Sequence, residues 1–388
     1  MSNLPAGGSQ TNAKGPAATP AGRSLLDAGN RLKLGLFGFN CSNGLSLTSA
    51  ETSFDASWDQ TLAIARRADE IGMEMLIPIA RWRGLGGDTD PFRRSFETMT
   101  WAAGIAAATE RINVVSTLHL PMTHPVLAAK QCVTIDHIAH GRYAFNAVMG
   151  WFAPDMVMFG ARMRDHDERY HYGAEWMEIV RRLWTEEEPF DFSGEYFELR
   201  ELQAYPKPFQ DPYPLLINAG NSPAGMDFAA HFAEVNFVHV ETLESGRRYV
   251  EKARAHAREH YQRSLSFMGI GFVVCRQSQA EAERVARYIV ERGDRAAARS
   301  YLGEFGAHSE SLSEEFVRNH EDKAILGMGA RQLVGTPDRV AAGLQELSEI
   351  GLDGLMLAFL DYYEELPYFA EAVLPRLNEM GLRDEGGS

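Results

Sequence analysis

Short apolar runs alternate with helical segments along this chain of 388 residues, and this pattern predicts a (β/α)8 TIM barrel with insertions. Each run is bounded by glycine, proline or polar residues, and most are followed by a segment with helical periodicity. That alternation is typical of a parallel sheet, and eight such units favour closure into a barrel over an open sheet. Hydrophobic residues make up 45% of the chain, which is enough for one large core.

The predicted elements follow one another in strand–helix order. The first helix is amphipathic and ends before Gly72, a residue type that commonly terminates helices. Ser222 followed by Pro223 predicts another helix start, because serine caps the first turn and proline suits its first position. The predicted strands are residues 32–39, 74–78, 111–116, 142–148, 214–218, 235–238, 266–274 and 354–359, and the longer predicted helices are residues 57–71, 96–109, 125–139 and 168–185.

Three stretches fall outside the repeat. Residues 1–31 are rich in Gly, Ala, Ser and Pro, and are predicted to form a disordered tail because they offer little apolar surface to bury. Residues 32–380 are predicted to form a single barrel domain. Within it, residues 187–210 are expected to form a hairpin, and residues 293–334 a polar, mostly helical segment. Long barrel loops are often lids or interfaces, so we expect the second segment to cover the active site or to join a dimer.

Charge and cysteine content restrict the possible partners and compartment. The formal net charge is −15 and no block of five like charges occurs, which argues against nucleic acid or an anionic membrane as a partner. Cys41, Cys132 and Cys275 are far apart and odd in number, so they build neither a disulfide framework nor a zinc motif. No run of 18 apolar residues and no signal-peptide core is found. We therefore expect a soluble cytoplasmic protein.

Polar and aromatic residues follow the predicted strands, where a barrel of this type carries its active site. Arg81 comes after the second strand and His119 after the third. Asn146 and Trp151 lie at the end of the fourth strand, and Ser222 follows the fifth. This rim is aromatic, amide-bearing and basic, without a convincing carboxylate pair. Such a composition favours a reaction carried by a cofactor.

Two features of the rim have alternative explanations. Arg81 and Arg83 precede a glycine-rich loop, which suits a phosphate or an anionic ring because guanidinium groups match planar anions. Alternatively, this is a surface loop whose arginines pair with Asp88 or Asp90. Ser222 is equally consistent with a simple helix cap and with an anion site at a helix N-terminus.

Acidic and histidine residues elsewhere favour structural roles. The cluster from Asp165 to Glu168 resembles a metal site, but acidic residues that complement a helix dipole are the preferred interpretation. His119, His124 and His239 are each candidates for a catalytic base. Taken one at a time, each is more simply explained as a packed or capping histidine.

Ordered motifs over about residues 32–376 give the chain a resemblance to the bacterial luciferase-like flavin monooxygenases. Within them it is most similar to the branch of pyrimidine, dimethyl sulfone and dibenzothiophene sulfone monooxygenases. The motifs are Arg83-Gly84-Leu85-Gly86-Gly87, His124-Pro125-Val126-Leu127-Ala128-Ala129-Lys130-Gln131, Thr134-Ile135-Asp136-His137-Ile138-Ala139-His140-Gly141-Arg142, Asn146 to Trp151, His166-Asp167-Glu168-Arg169-Tyr170, Tyr205-Pro206-Lys207-Pro208, Ala219-Gly220-Asn221-Ser222 and Leu333-Val334-Gly335-Thr336-Pro337.

The resemblance implies a (β/α)8 barrel that uses reduced FMN, supplied by a separate NAD(P)H:FMN reductase, and O2 to oxygenate a small organic molecule. It also implies a homodimer or homotetramer. By position, Ala80 and Arg81 would lie beside the flavin ring and Asn146 would hydrogen-bond it. The residues implied for the rest of the cofactor are Asp155, Arg169, Tyr170 and Ser222, with Ser222 at the phosphate. The candidates for chemistry are Arg81, His119, Asn146 and Trp151.

Departures from the family pattern leave the substrate open. Arg81 stands where the pyrimidine enzymes have lysine, and Met149 stands where they have threonine. Three segments favour an organosulfur substrate, such as a sulfone or alkanesulfonate, over a pyrimidine-type ring. They are Gly150-Trp151-Phe152, His166 to Tyr170 and the ending from Leu360 to Glu365. The alternatives are an F420-dependent oxidoreductase of the same superfamily, a flavin-binding barrel without turnover and a metal-dependent hydrolase.

Overall fold

Eight parallel strands close into a barrel in the computed structural model, which describes Leu26 and residues 29–306 and 314–384. The strands are neighbours in the order β1, β2, β3, β4, β7, β8, β9 and β11, and β11 returns to pair with β1. The elements are β1 Lys33–Phe37, α1 Trp58–Glu70, β2 Met75–Ile77, α2 Thr98–Ala106, β3 Asn113–His119, α3 Pro125–Ile138, β4 Tyr143–Val148, α4 Ala153–Met158, α5 His166–Thr185, β5 Phe190–Ser193, β6 Glu198–Leu202, β7 Leu215–Asn218, α6 Pro223–Phe232, β8 Val235–Phe237, α7 Leu243–Tyr261, β9 Ser266–Cys275, α8 Gln279–Glu291, α9 Arg295–Gly306, α10 Glu314–Ile325, β10 Arg331–Gly335, α11 Pro337–Glu349, β11 Gly354–Ala358, α12 Tyr362–Ala372 and α13 Leu374–Glu379.

The predicted (β/α)8 barrel is confirmed, and its eight strands overlap the eight predicted ones. Closure is direct, because Lys33 of β1 lies opposite Gly354 of β11. From β1 to β4, each connection between consecutive strands carries a helix, as parallel pairing requires.

Side-chain alternation along the strands separates two apolar clusters. One fills the barrel interior and includes Val115 and Ala144, whereas the other lies between the strands and the surrounding helices. Phe145 faces outward, where its ring stacks on Trp176 at a centroid distance of 6.0 Å. Because side chains alternate along a strand, Asn146 shares the inner face with Ala144. Asn146 is therefore a polar residue at the open end of an apolar barrel.

A ninth parallel strand, β10, ends the segment of residues 293–334, which is mostly helical as predicted. Two helices, α9 and α10, occupy the first part of that segment, but residues 331–334 belong to the strand. β10 pairs with Gly271 to Cys275 of β9, whereas the shorter β8 pairs with β9 only as far as Met268. The extra strand thus continues the edge of β9 beyond the point where β8 ends.

The other segments outside the repeat have separate outcomes. Residues 190–202 form an antiparallel hairpin of β5 and β6, within the stretch where a hairpin was expected. The predicted tail, residues 1–31, lies outside the described residues except for Leu26 and residues 29–31. In the described part of the chain, no helix is long and apolar enough to cross a membrane.

Candidate functional site

A narrow cleft opens at the carboxyl ends of β2 and β3. Parallel barrels gather their reactive side chains at this end, because the strand-to-helix loops all emerge there. All three predicted site residues that precede β4 line this space, namely Ala80, Arg81 and His119. The lining residues are Ala80, Arg81, Trp82, Phe96, Glu97, Thr98, Thr117, Leu118, His119, Met122 and Thr123.

Arg81 is buried, and its guanidinium group is surrounded by aromatic rings. Its Cζ lies 4.5 Å from the ring centroid of Trp151, 4.9 Å from that of Phe152 and 5.7 Å from that of Phe92. Its Nη1 donates to the carbonyl of Ala80 at 3.0 Å. Burial lowers the pKa of Arg81, a trend that nearby Asp155 opposes. The aromatic faces hold the positive charge beside the cleft by cation–π attraction.

The two alternatives for the arginine–glycine loop are both incomplete. Asp90 Oδ1 accepts from the backbone of Gly86 at 2.8 Å, so this carboxylate orders the loop. Arg81 stacks on aromatic rings as described, whereas Arg83 is exposed. The two arginines therefore have different environments, and only Arg81 lines the cleft.

Asp155 is fully buried on α4 and connects the end of β2 to the segment after β4. Its Oδ1 accepts from the backbone nitrogen of Trp82 at 3.3 Å. Burial raises the pKa of this carboxyl group, whereas Arg81 lowers it. Its second oxygen, Oδ2, has no hydrogen-bond partner.

His119 ends β3 and is also buried. Burial and the nearby positive charge of Arg81 lower its pKa to about 3, so the imidazole is neutral near pH 7. Its Nδ1 has no partner. The neutral imidazole of His119 can therefore hydrogen-bond a ligand, but it does not serve as a protonated acid near pH 7.

The hydrogen bonds of Thr117 determine how the amide of Asn146 is oriented. Thr117 Oγ1 donates its only hydrogen to the carbonyl of Pro78 at 2.8 Å. It can therefore only accept from Asn146, whose Nδ2 lies 3.2 Å away. This leaves Asn146 Oδ1 buried and without a partner. The site thus presents a hydrogen-bond acceptor at the open end of the barrel interior.

A second group of predicted residues adjoins the first through Gly150. Arg169 Nη1 donates to the carbonyl of Gly150 at 2.7 Å, directly before Trp151. Burial raises the pKa of the neighbouring Tyr170, and a hydrogen bond from Ser222 opposes this change. Ser222 also caps α6 by accepting from Gly225 at 3.1 Å, which confirms the predicted helix start.

Two glycines make room around the hydroxyl group of Tyr170. A Cβ atom at Gly220 would lie 2.6 Å from this hydroxyl, and one at Gly225 would lie 2.7 Å from it. Separations this short are excluded for real side chains. The loop after β7 therefore requires glycine at both positions to bring its backbone against Tyr170.

The segment after β9 contributes residues that sequence reasoning did not single out. Tyr301 of α9 packs edge-on against Trp151 at a centroid distance of 6.1 Å. Asp294, just before α9, accepts from the backbone nitrogen of Thr89 at 2.7 Å and from its hydroxyl at 2.9 Å. A Cβ atom at Gly87 would lie 2.4 Å from Asp294 Oδ1. The glycine loop after β2 is thus attached to the start of α9.

Unpartnered polar atoms are concentrated at this end of the barrel. In the part of the chain that the structure describes, nine buried side-chain nitrogen or oxygen atoms have no hydrogen-bond partner. Buried polar groups are normally paired, so such a concentration calls for a ligand. Five of the nine belong to predicted site residues, namely Arg81 Nε, His119 Nδ1, Asn146 Oδ1, Asp155 Oδ2 and Arg169 Nε. Donors, acceptors and aromatic faces together fit a large polar aromatic cofactor such as a flavin.

The family model of luciferase-like monooxygenases matches residues 33–354. The chain belongs to this family. A relative that is 30% identical over 349 residues is the FMNH2-dependent dimethylsulfone monooxygenase of Pseudomonas putida, where the match covers 88% of this chain and 94% of that protein. The pyrimidine monooxygenase RutA of Acinetobacter baylyi is 29% identical over 352 residues, with 89% and 94% covered. Both belong to the branch that the sequence motifs indicated.

Solved structures agree with the fold of this luciferase-like monooxygenase. DmoA from Hyphomicrobium sulfonivorans superposes with a TM-score of 0.82 at 19% identity, covering 92% of this chain and 90% of that one. The riboflavin lyase RcaE, solved with modified FMN and riboflavin, gives 0.79 at 22% identity, with 92% and 94% covered. At these identities the likeness concerns the fold alone.

The acidic cluster at the start of α5 of this luciferase-like monooxygenase forms local contacts. His166 Nδ1 lies 2.8 Å from Asp167 Oδ1, and Glu168 pairs with Arg164 at 3.6 Å and with Arg162 at 3.7 Å. Among the described residues, no group of three or more His, Cys, Asp or Glu side chains is arranged to hold a metal ion. His124 caps α3 by accepting from Val126, as one of its two interpretations predicted.

Proposed function

We propose that this chain is the oxygenase component of a two-component monooxygenase, which takes reduced FMN from a separate NAD(P)H:FMN reductase. The observation that supports this most is the set of five unpartnered polar atoms on predicted site residues, two of which, Arg81 and His119, line the aromatic cleft. A flavin ring carries both hydrogen-bond donors and acceptors, and its faces suit aromatic neighbours. The FMNH2 dependence stated for the dimethylsulfone relative supports the choice of FMN.

In this proposal, the residues on either side of Gly150 hold opposite ends of the cofactor. Asn146 Oδ1 accepts a hydrogen bond from a ring N–H, because its amide orientation is determined by Thr117. Arg169 and Tyr170 bind the ribityl–phosphate part, and Ser222 meets the phosphate at the N-terminus of α6. Asp155 supports the ring end of the site, because it accepts a hydrogen bond from the backbone of Trp82 and lies near the positive charge of Arg81.

Bound reduced flavin supplies the electrons that activate O2 for transfer to the substrate. Arg81 places a positive charge beside the ring, where it stabilises negative charge that develops during the reaction. His119 orients a ligand atom as a neutral hydrogen-bonding group, since its pKa is near 3. Trp151 and Tyr301 cover Arg81 and exclude water, which strengthens these electrostatic interactions.

We propose a small organosulfur substrate, such as a sulfone or alkanesulfonate, in preference to a pyrimidine-type ring. The segment from Gly150 to Phe152 supports this preference, as does the dimethylsulfone relative. The arginine at position 81, where the pyrimidine enzymes have lysine, argues in the same direction. We further propose a homodimer or homotetramer, which would be tested by light scattering.

The test is oxygen consumption with FMN, NADH and a flavin reductase, against a panel of sulfones, sulfonates and pyrimidines with product mass spectrometry. We expect one substrate class to gain an oxygen atom and to increase oxygen use above free-flavin autoxidation. Binding of F420 instead of FMN would identify an F420-dependent oxidoreductase. Flavin binding without oxygen use beyond autoxidation would identify a non-catalytic barrel.

A further inference from the structure

The cleft contains a potential oxidation target of its own, the thioether of Met122. This residue ends the 3-10 turn Leu120–Met122 that directly follows His119, and it is half-buried in the cleft wall. The turn is held at its C-terminal end, because Thr123 N donates to Leu120 O at 3.3 Å and Thr123 O accepts from Trp176 at 2.9 Å. Met122 lines the same cleft as Arg81 and His119, so its side chain lies beside the space that they face.

The other methionines near the site are shielded from it. Met156 is 1% exposed and packs behind Gly150, and Met149 is 6% exposed and packs behind Gly173. At the surface, Met158 is 57% exposed and Met380 is 37% exposed, and neither lines the cleft. Met122 is therefore accessible to an oxidant formed in the cleft, whereas Met158 and Met380 are accessible to an oxidant in bulk solvent.

We propose that Met122 is a self-oxidation site, which is converted to the sulfoxide when reduced flavin and O2 react in the cleft without substrate. The proposal rests on the proposed function, which supplies the oxidant. Uncoupled reaction reduces O2 to hydrogen peroxide, with both electrons coming from reduced flavin. The sulfur lone pair then attacks one peroxide oxygen, so that an S–O bond forms, the O–O bond breaks and the other oxygen leaves as water. The product sulfoxide is polar, and thioether-to-sulfoxide conversion is a known oxidative change of methionine.

The sequence provides a clean readout by peptide mass spectrometry. Trypsin releases residues 112–130, in which Met122 is the only methionine, and residues 377–383, in which Met380 is the only methionine. The holoenzyme is incubated in air with FMN, NADH, a flavin reductase and catalase, without substrate. We expect a gain of about 16 Da on the first peptide well ahead of the second. With added hydrogen peroxide alone, we expect the reverse order, because Met380 is the more accessible residue.

Two results would overturn the proposal. One is parallel oxidation of both peptides in an incubation without catalase and of neither peptide when catalase is present, which would indicate peroxide from bulk solvent. The other is an unmodified Met122 in an enzyme that oxygenates its substrate, which leaves the proposed function intact. In contrast, failure to bind FMN or to use oxygen would count against the proposed function itself. Met122→Leu should also keep a larger fraction of its own initial activity after substrate-free incubation than wild type, whereas the matched variant Met380→Leu should decay as wild type does.

Discussion

Replacing Asn146 by leucine should weaken FMN binding without weakening the fold. Leucine is similar in shape to asparagine and removes both polar atoms. The hydrogen bond from Nδ2 to Thr117 is long at 3.2 Å, so its loss costs about 0.5–1 kcal/mol. Removal of the unpartnered Oδ1 relieves a desolvation penalty of about 1–3 kcal/mol. The free energy of unfolding of the FMN-free variant should therefore equal that of wild type or exceed it by up to about 2.5 kcal/mol.

The same substitution removes the proposed hydrogen bond from FMN to Oδ1. A loss of about 1–3 kcal/mol corresponds to about 5- to 150-fold weaker FMN binding. Urea denaturation, monitored by circular dichroism, measures the stability of the variant. Titration monitored by flavin fluorescence measures its affinity for FMN. Opposite signs in these two measurements are typical of a binding residue whose polar atom is satisfied only by its ligand.

Asn236→Leu is the matched control, because this buried amide has all its partners. Its Nδ2 donates to Asn218 O at 3.0 Å and to Gly220 O at 3.2 Å, and its Oδ1 accepts from Tyr249 at 2.9 Å. We expect the control to lose about 2–4 kcal/mol of stability. If Asn146→Leu were destabilised as strongly as the control and bound FMN like wild type, the inference about Asn146 would be wrong.

Three further predictions concern charge and thiol chemistry. Arg169→Ala should weaken FMN binding about tenfold or more, measured by calorimetry. The matched control Arg181→Ala should leave FMN binding unchanged. Arg181 has the same unpartnered Nε, but it donates to Phe232 O and packs over the Phe232 ring. Burial raises the pKa of Asp361, but hydrogen bonds from Ser53 and the start of α12 lower it by more, so the net shift is downward. The ionised carboxylate therefore stabilises the fold at pH values above the unfolded pKa near 4. Asp361→Asn should therefore cost about 1.5–3 kcal/mol at pH 7, and its difference from wild type in urea midpoint should shrink as the pH falls towards 3, whereas a constant difference would contradict this assignment. Burial also raises the pKa of every free thiol, so thiol reagent should react with none of them within minutes in the native protein and with all three in urea, and rapid native labelling would disprove this. The thiols are Cys41, Cys132 and Cys275.

The strands of the barrel were predictable because their signal is local. Each is a short apolar run, and burial on both faces of a parallel barrel makes the entire run hydrophobic. The helix start at Ser222 was predictable for the same reason, because a cap and a proline act within one turn. Strand β10 was missed, since residues 331–335 alternate in exposure and follow a polar helical stretch.

The cleft was only partly predictable. Arg81 and His119 could be placed together because the ends of neighbouring parallel strands share one rim. Tyr301 and Asp294 could not be placed, because their contacts are long-range, and Thr89 lies 205 residues before Asp294 in the chain. No local pattern distinguishes a tyrosine that covers a site from one that packs elsewhere on a helix.

The sequence by itself determined the barrel, the order of its strands and the polar residues at its open end, because strand periodicity and topology are encoded in short stretches. Only the tertiary structure decided which of those polar atoms are satisfied. Asn146 and Asn236 are both buried amides in barrel strands, yet the first has an unpartnered oxygen and the second has none. The physical reason is that hydrogen-bond partners are supplied by other strands and helices, which the closed fold brings to each amide.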